Sequence, residues 1–445
     1  MTLLHRRLLL LFFTLFFIVV SPLLILYALG YKYDAQKGRL EKTGVFFIKA
    51  YPKNANIFLN NQDQKIQTPA RLTKLLPNIY QVTISKPGFS PWVKNLSIEP
   101  QTTTFIEDVS LFKETLEWGK IKNGNFSQLT VSADKNLSAI LEVNESGSAI
   151  WLYNLDNDDL KPLYAAPAKS KLEIITWSES SQKILLKQDN DYLIVNIDEK
   201  NNTRSVYALF SKHYTDLKWN DLNDNILYAE RQNQMYELDL ITKQEKPLFS
   251  NVYSFEPYLN KVIYVEKTGG NFFLSSWENN KSAQLFKLPP SDNYLLQNTD
   301  SDYLVLMDKD QGYLYLLDPN DTAQPVNAII KNVLGFNWLN QQIIYWNNSE
   351  LWVYYPESKQ KILVERSSEK IIQGFFHPNA VYVYGVIGNK LKVYELDGRD
   401  KRNSYDLLTV SHEFNYQLIT DKKGQHLFLL DYYENATGLF KIQIQ

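Results

Sequence analysis

Cysteine is missing from all 445 residues, which excludes disulfides, thiolate catalysis and cysteine-based metal sites. A cysteine-free chain also tolerates an oxidising exterior. Net charge is nearly absent too. The formal value is -2 at pH 7, so nothing draws the chain to nucleic acid in general. Histidine is scarce. His5, His213, His377, His412 and His426 form no pair at the helical i, i+4 spacing that holds zinc. There is no Gly-x-Ser-x-Gly elbow, no Walker loop and no dinucleotide fingerprint. The expectation is a protein that is not an enzyme, with no cofactor and with no catalytic, cofactor-binding or metal-binding residue to name. Its binding residues stay unassigned at this level.

One long apolar run is present. Residues 8–29 carry no charge and follow Arg6 and Arg7. As a helix the run reaches about 33 Å, enough to cross a bilayer core. It exceeds the apolar length of an ordinary signal peptide, which favours a retained single-pass anchor. Ala28-Leu29-Gly30 has the small-residue spacing of a cleavage site and keeps the second reading open. Basic residues lie on both sides, with Lys32, Lys37, Arg39 and Lys42 after the run. Counting them does not decide orientation. The short basic tail before a long apolar run resembles an export signal, and the expectation is residues 1–7 in the cytoplasm and the head outside.

The rest of the chain is β-patterned. It holds 29 Tyr, 23 Phe and 9 Trp, residue types that favour strands. Residues 30–43 read as a polar linker. Strand-like runs follow at 44–51, 56–60, 79–86, 93–98 and 103–111, punctuated by Pro52, Pro69, Pro77 and Pro87-Gly88. That spacing predicts a small β-sandwich over residues 44–112. Tyr51-Pro52-Lys53-Asn54-Ala55 resembles the Pro-Glu-Gly-Ala signature of PEGA domains. Thr68-Pro69-Ala70, Leu76-Pro77-Asn78-Ile79-Tyr80 and Lys86-Pro87-Gly88-Phe89-Ser90-Pro91-Trp92 follow in the family's order. Asn54 and Asn78 stand where the family usually has Gly, and Asn tolerates left-handed turns. The resemblance implies a surface-associated sandwich of envelope proteins and no catalytic residues.

Residues 114–445 repeat with a period of roughly 40 residues, the size of a four-stranded propeller blade. One unit is Lys183-Ile-Leu-Leu-Lys, a second strand over 192–198, then an outer strand over 204–210. Trp177, Trp219, Trp338 and Phe376-His377 recur near the end of an additional strand preceding each pair. Eight blades are expected, with seven as the alternative. The last blade lacks its outer strand, and residues 115–122 are a spare strand before the first, so the N-terminal strand closes the ring. This part resembles the WD-like propellers of the Tol system and of prolyl-oligopeptidase-type enzymes, without their hydrolase domain.

Within the propeller, His213, His377 and His412 fall near first strands, where a channel would gather them. Structural roles are favoured. Asp308-Lys309-Asp310-Gln311-Gly312, residues 156–159 and residues 221–224 read as polar turns rather than calcium loops. The three tryptophans read as blade packing rather than sugar platforms. The function expected is a membrane-anchored extracytoplasmic binding or scaffold protein of the cell envelope. Its partners would be the membrane and an envelope protein or cell-wall polymer. The alternatives are a propeller enzyme acting on glycans or lactones, and a ligand sensor with a membrane partner.

Overall fold

The computed structural model describes residues 3–198, 203–299, 301–411, 417–433 and 436–445. The chain divides into two compact units: Met1–Thr115 with Glu395–Tyr405 and Gln445, and Leu116–Tyr394 with Asp406–Ile444.

The first unit begins with the helix Leu3–Ala28, whose side chains are nearly all solvent-facing. It is long and apolar enough to cross a membrane. The helix ends where Gly30 takes φ +83, a left-handed position at which glycine carries no Cβ penalty. The segment expected as a linker holds a hairpin, Tyr31–Asp34 paired with Arg39–Lys42. Its length and charge hid the alternation of a strand.

A seven-stranded sandwich follows. One sheet orders Ala70–Leu75, Gly44–Tyr51 and Thr103–Ser110, with the last two parallel. The other orders Gln62–Gln67, Asn56–Leu59, Asn78–Ser85 and Trp92–Ile98. Inward positions such as Phe46, Ile48, Ile57, Val82, Ile84 and Trp92 fill the space between them. Two strands escaped the sequence reading. Gln62–Gln67 is polar and mostly exposed, and Ala70–Leu75 buries only Leu72, so neither shows the period-2 signal.

The signature segments of the sandwich are laced together. Thr68 Oγ1 accepts from the Ala55 amide at 3.1 Å, and the Asn54 amide donates to Thr68 O at 2.9 Å. Asn54 takes φ 62, a left-handed position that asparagine tolerates. Asn78 does not need that region; its Oδ1 accepts from the Ile79 amide at 2.9 Å. Lys94 is fully buried on the core face of its strand. Its Nζ lies 3.3 Å from Glu395 Oε2 and 3.4 Å from Asp397 Oδ2. Trp92 Nε1 donates to Glu395 Oε1 at 2.9 Å, so the buried charges are paired and hydrogen-bonded.

The remaining four-stranded sheets form an eight-bladed β-propeller. Blades 1 to 7 are consecutive four-stranded antiparallel sheets over residues 126–165, 172–205, 216–250, 252–288, 294–331, 335–366 and 371–409. Blade 8 orders Glu117–Asn123, Ala436–Gln443, His426–Tyr433 and Gln417–Thr420. The N-terminal strand therefore completes the last sheet, with Trp118 opposite Ile442. Its ring meets Phe440 edge-on, with 5.7 Å between centroids. Apolar residues of facing sheets pack between blades; Ala139 and Leu141 of blade 1 meet Ile174 and Leu186 of blade 2.

One element departs from the expected pattern. The outer strand of blade 2 is only Thr203–Ser205, and the chain then turns helical over Val206–Phe210. Ser205 caps that turn by accepting from the Ala208 amide at 2.9 Å. Asp191 accepts from the Tyr207 amide at 2.9 Å and holds the switch in place.

Candidate binding site at the propeller mouth

The first strand of each blade lines the centre of the ring, and the turn leaving it reaches one end. Four of these turns share a geometry. The His377 amide donates to Tyr382 O at 2.9 Å, and the Ala380 amide donates to His377 O at 2.9 Å. Ser132 with Lys135, Ser178 with Ser181, and Asp421 with Gly424 repeat that arrangement. The fourth residue is left-handed each time: Lys135 φ 58, Ser181 φ 63, Ala380 φ 58 and Gly424 φ 69.

Neighbouring turns are chained by hydrogen bonds. Lys422 Nζ donates to Asn136 Oδ1, joining blades 8 and 1. The Asp134 amide donates to Ser181 Oγ at 2.9 Å, joining 1 and 2. Lys183 Nζ donates to Asp224 O at 2.9 Å, joining 2 and 3. The Leu259 amide donates to Asp221 Oδ2 at 3.1 Å, joining 3 and 4. This end of the ring is therefore a preorganised surface built from many blades.

A cavity of about 530 Å³ opens here between blades 6, 7, 8 and 1. Its wall includes Trp338, Phe375, Asn337, Gln373, Lys135 and Lys422. Glutamines on three of the first strands differ in their bonding. Gln128 follows a bulge in the first strand of blade 1. Its Oε1 accepts from the Ile174 amide of blade 2 at 2.7 Å. Gln417 Oε1 accepts from the Leu129 amide, tying blade 8 to blade 1. Gln373 follows the same kind of bulge in blade 7. Its carboxamide, like that of Asn337, has no hydrogen-bond partner among the described residues, and both line the cavity.

The remaining candidates are dispersed. His213 precedes the first strand of blade 3, whereas His377 follows the first strand of blade 7, so they lie at opposite ends of their strands. His213 stacks on Tyr207 with 4.5 Å between centroids, and His377 is buried. His412 lies outside the described residues. Trp177 and Trp219 are buried between blades, but Trp338 is half-buried and faces the cavity. Among the described residues no group of three or more His, Cys, Asp or Glu side chains is placed to hold a metal.

The acidic turns hold structure. Asp308 Oδ1 accepts from Ser291 Oγ at 2.7 Å and from the amides of Asp310 and Gln311 at 3.1 Å. Asp158 receives Lys441 Nζ at 2.7 Å, a bond from blade 8 to blade 1. Asp221 does more than turn the chain: besides Leu259 it accepts from Asn298 Nδ2 at 3.3 Å. Burial, reinforced by the nearby Glu256 and Glu179, pushes its pKa up to about 7. Glu256 is also raised by burial, opposed by its ion pair with Lys218 on the neighbouring strand. Neither shift is legible locally, because both depend on strands from other blades.

The comparisons with known proteins agree with this architecture. Residues 43–109 match the family model of the PEGA domain. That segment is a PEGA domain. It makes up a minor part of the chain, and no curated protein matches the chain in sequence. Among solved structures, Porphyromonas gingivalis dipeptidyl peptidase 4 is similar at a TM-score of 0.51 and 11% identity. The alignment covers 73% of this chain and 58% of that one. A eukaryotic initiation factor aligns at 0.50 and 11% identity over 72% of this chain and 85% of its own. The Dos1 propeller aligns at 0.46 and 11% identity, over 73% and 94%. Likeness at this identity is likeness of fold. The chain thus joins an N-terminal apolar helix, a PEGA domain and a β-propeller.

Proposed function

We propose that the chain is a membrane-anchored binding protein of the cell envelope, with the helix retained, residues 1–7 in the cytoplasm and the head outside. The propeller is its interaction platform. The observation that carries this reading is the cavity at the ring mouth, where Gln373 and Asn337, whose carboxamides have no partner among the described residues, line the wall together with Trp338 and Phe375. Largely preformed concave sites with a few convergent polar groups are where ligands bind. The rim supports the reading, because loops from many blades are fixed to one another before any partner arrives. The partner is a protein or a cell-wall polymer that presents polar groups beside apolar surface. The PEGA domain then acts as the module between anchor and platform.

The test uses the full chain in lipid nanodiscs. Capture of isolated wall polymer and of envelope proteins is measured for the native chain, for Trp338→Ala, and for the pair Asn337→Ala with Gln373→Ala. A loss of at least tenfold in both variants, with unchanged melting of the doubly substituted chain, supports the mouth as the site. Undiminished capture by the doubly substituted chain contradicts it.

A further inference from the structure

The hairpin behind the N-terminal helix is built inside out for a soluble protein. Cross-strand pairing puts Tyr31, Lys42, Tyr33 and Leu40 on one face, and Lys32, Glu41, Asp34 and Arg39 on the other. The acids are covered: Asp34 and Glu41 are both buried. They are also neutralised in place, with Lys37 Nζ 3.1 Å from Glu41 Oε2 and Arg39 Nη2 2.7 Å from Glu41 Oε1. The charge of Asp34 also helps raise the pKa of Tyr80, after burial. Glu41 is covered by the hairpin's own Lys37 and Arg39, and from the same face Lys32 Nζ reaches Lys74 O of the sandwich. The opposite face leaves Tyr33 61% and Leu40 46% exposed.

That exposed face is continuous with the end of the apolar helix. Thr43 donates to Gly30 O through both its amide and its Oγ1 at 2.9 Å. Lys74 Nζ sits 3.5 Å over the Tyr27 ring, and Lys32 Nζ reaches Lys74 O at 3.5 Å. Five residues beyond Lys74, at the start of the strand Asn78–Ser85, Ile79 is 65% exposed. Lys37 and Arg39 are engaged with carboxylates, while Lys32, Lys42 and Lys74 form no ion pair among the described residues. Tyrosines, isolated large apolar side chains and lysines beside a membrane-length helix match the chemistry of the headgroup layer. Each basic residue near an anionic leaflet adds roughly 1 kcal/mol of attraction.

The geometry points to a second membrane contact: the hairpin face of Tyr31, Tyr33, Leu40 and Lys42, with Lys74 and Ile79, lies in the anionic headgroup layer. The PEGA domain is then seated on the bilayer rather than swinging above it. This rests on the helix being an inserted anchor.

Because the chain has no cysteine, single-cysteine spin labels report without background. The full chain is labelled at Tyr33→Cys, Ile79→Cys, Lys53→Cys or Leu15→Cys in nanodiscs with one-third anionic lipid. Relaxation by oxygen is compared with relaxation by a water-soluble nickel chelate. Lys53 is the aqueous control, since its carbonyl accepts from Lys86, just past the far end of the strand Asn78–Ser85 that carries Ile79 near its start. The expected result is an oxygen-to-nickel ratio at least threefold higher at 33 and 79 than at 53, falling toward the value at 53 in purely zwitterionic bilayers. Labels at 33 and 79 that read like 53, while 15 reads bilayer core, overturn the docking and leave the anchor standing. A ratio indifferent to lipid charge overturns the anionic preference. A label at 15 that reads water removes the anchor and the docking with it.

Discussion

The imidazole of His377 in blade 7 occupies the space that a Cβ on Gly424 in blade 8 would need. Gly424 is also left-handed, at φ 69. Both constraints forbid a side chain. Gly424→Ala should destabilise the propeller by about 2–5 kcal/mol, the sum of a left-handed penalty and overpacking. Chemical denaturation monitored by tryptophan fluorescence measures it. A neutral result would mean that this seam between blades is loose.

Ala380 stands at the position in its own turn that Gly424 holds in blade 8, at φ 58. An alanine has no polar side chain to compensate for that region. Ala380→Gly should therefore stabilise the chain by about 0.5–1 kcal/mol, the left-handed cost less the entropy glycine adds to the unfolded state. A raised melting temperature is the expected readout.

Thr68 is nearly fully buried and accepts from the Ala55 amide through its hydroxyl. Thr68→Val keeps the shape and removes the acceptor. It should cost about 1–3 kcal/mol, the penalty of a buried donor left unsatisfied. Hydrogen exchange at the Ala55 amide is the direct measurement, and protection there should fall while the propeller amides keep theirs.

Asp221 titrates near 7 in the fold, against an ordinary value of 3.8. Between those values the native state holds more protons than the unfolded chain. Its contribution therefore makes stability fall as pH rises from about 4 to about 7, then level off. Asp221→Asn should remove that slope. The variant is expected to melt higher than the native chain at pH 8 and to converge with it near pH 4. Melting curves across that range decide it; a variant less stable at pH 8 contradicts the assignment.

Much of the architecture is written locally. Strands such as Lys183–Gln188, with its apolar centre Ile184–Leu186, and Tyr382–Ile387 carry apolar runs buried on both faces and spaced by turns, so the blades could be counted. The spare strand Glu117–Asn123 was legible because an unpaired edge in the last blade needed a partner. What escaped depended on distant chain. Lys94 looks like a solvent residue in its strand, and its partner Asp397 lies 303 positions away. The helical turn after Ser205 depends on Asp191 from another strand. Gln373, on the cavity wall, makes no interblade bond among the described residues, unlike Gln128 and Gln417. A single repeat in the sequence carries no trace of that difference.

The most direct test of the binding account is photo-crosslinking in living cells. A photoreactive amino acid replaces Asn340 at the cavity rim, and another replaces Asp189 in a turn at the far end of a first-strand partner as a control. Captured material is identified by mass spectrometry. The account predicts recurrent capture of one envelope protein or of wall polymer from position 340, and not from 189. Cytoplasmic proteins captured from 340 would contradict the outside orientation, and equal capture from both positions would contradict the mouth as the binding site.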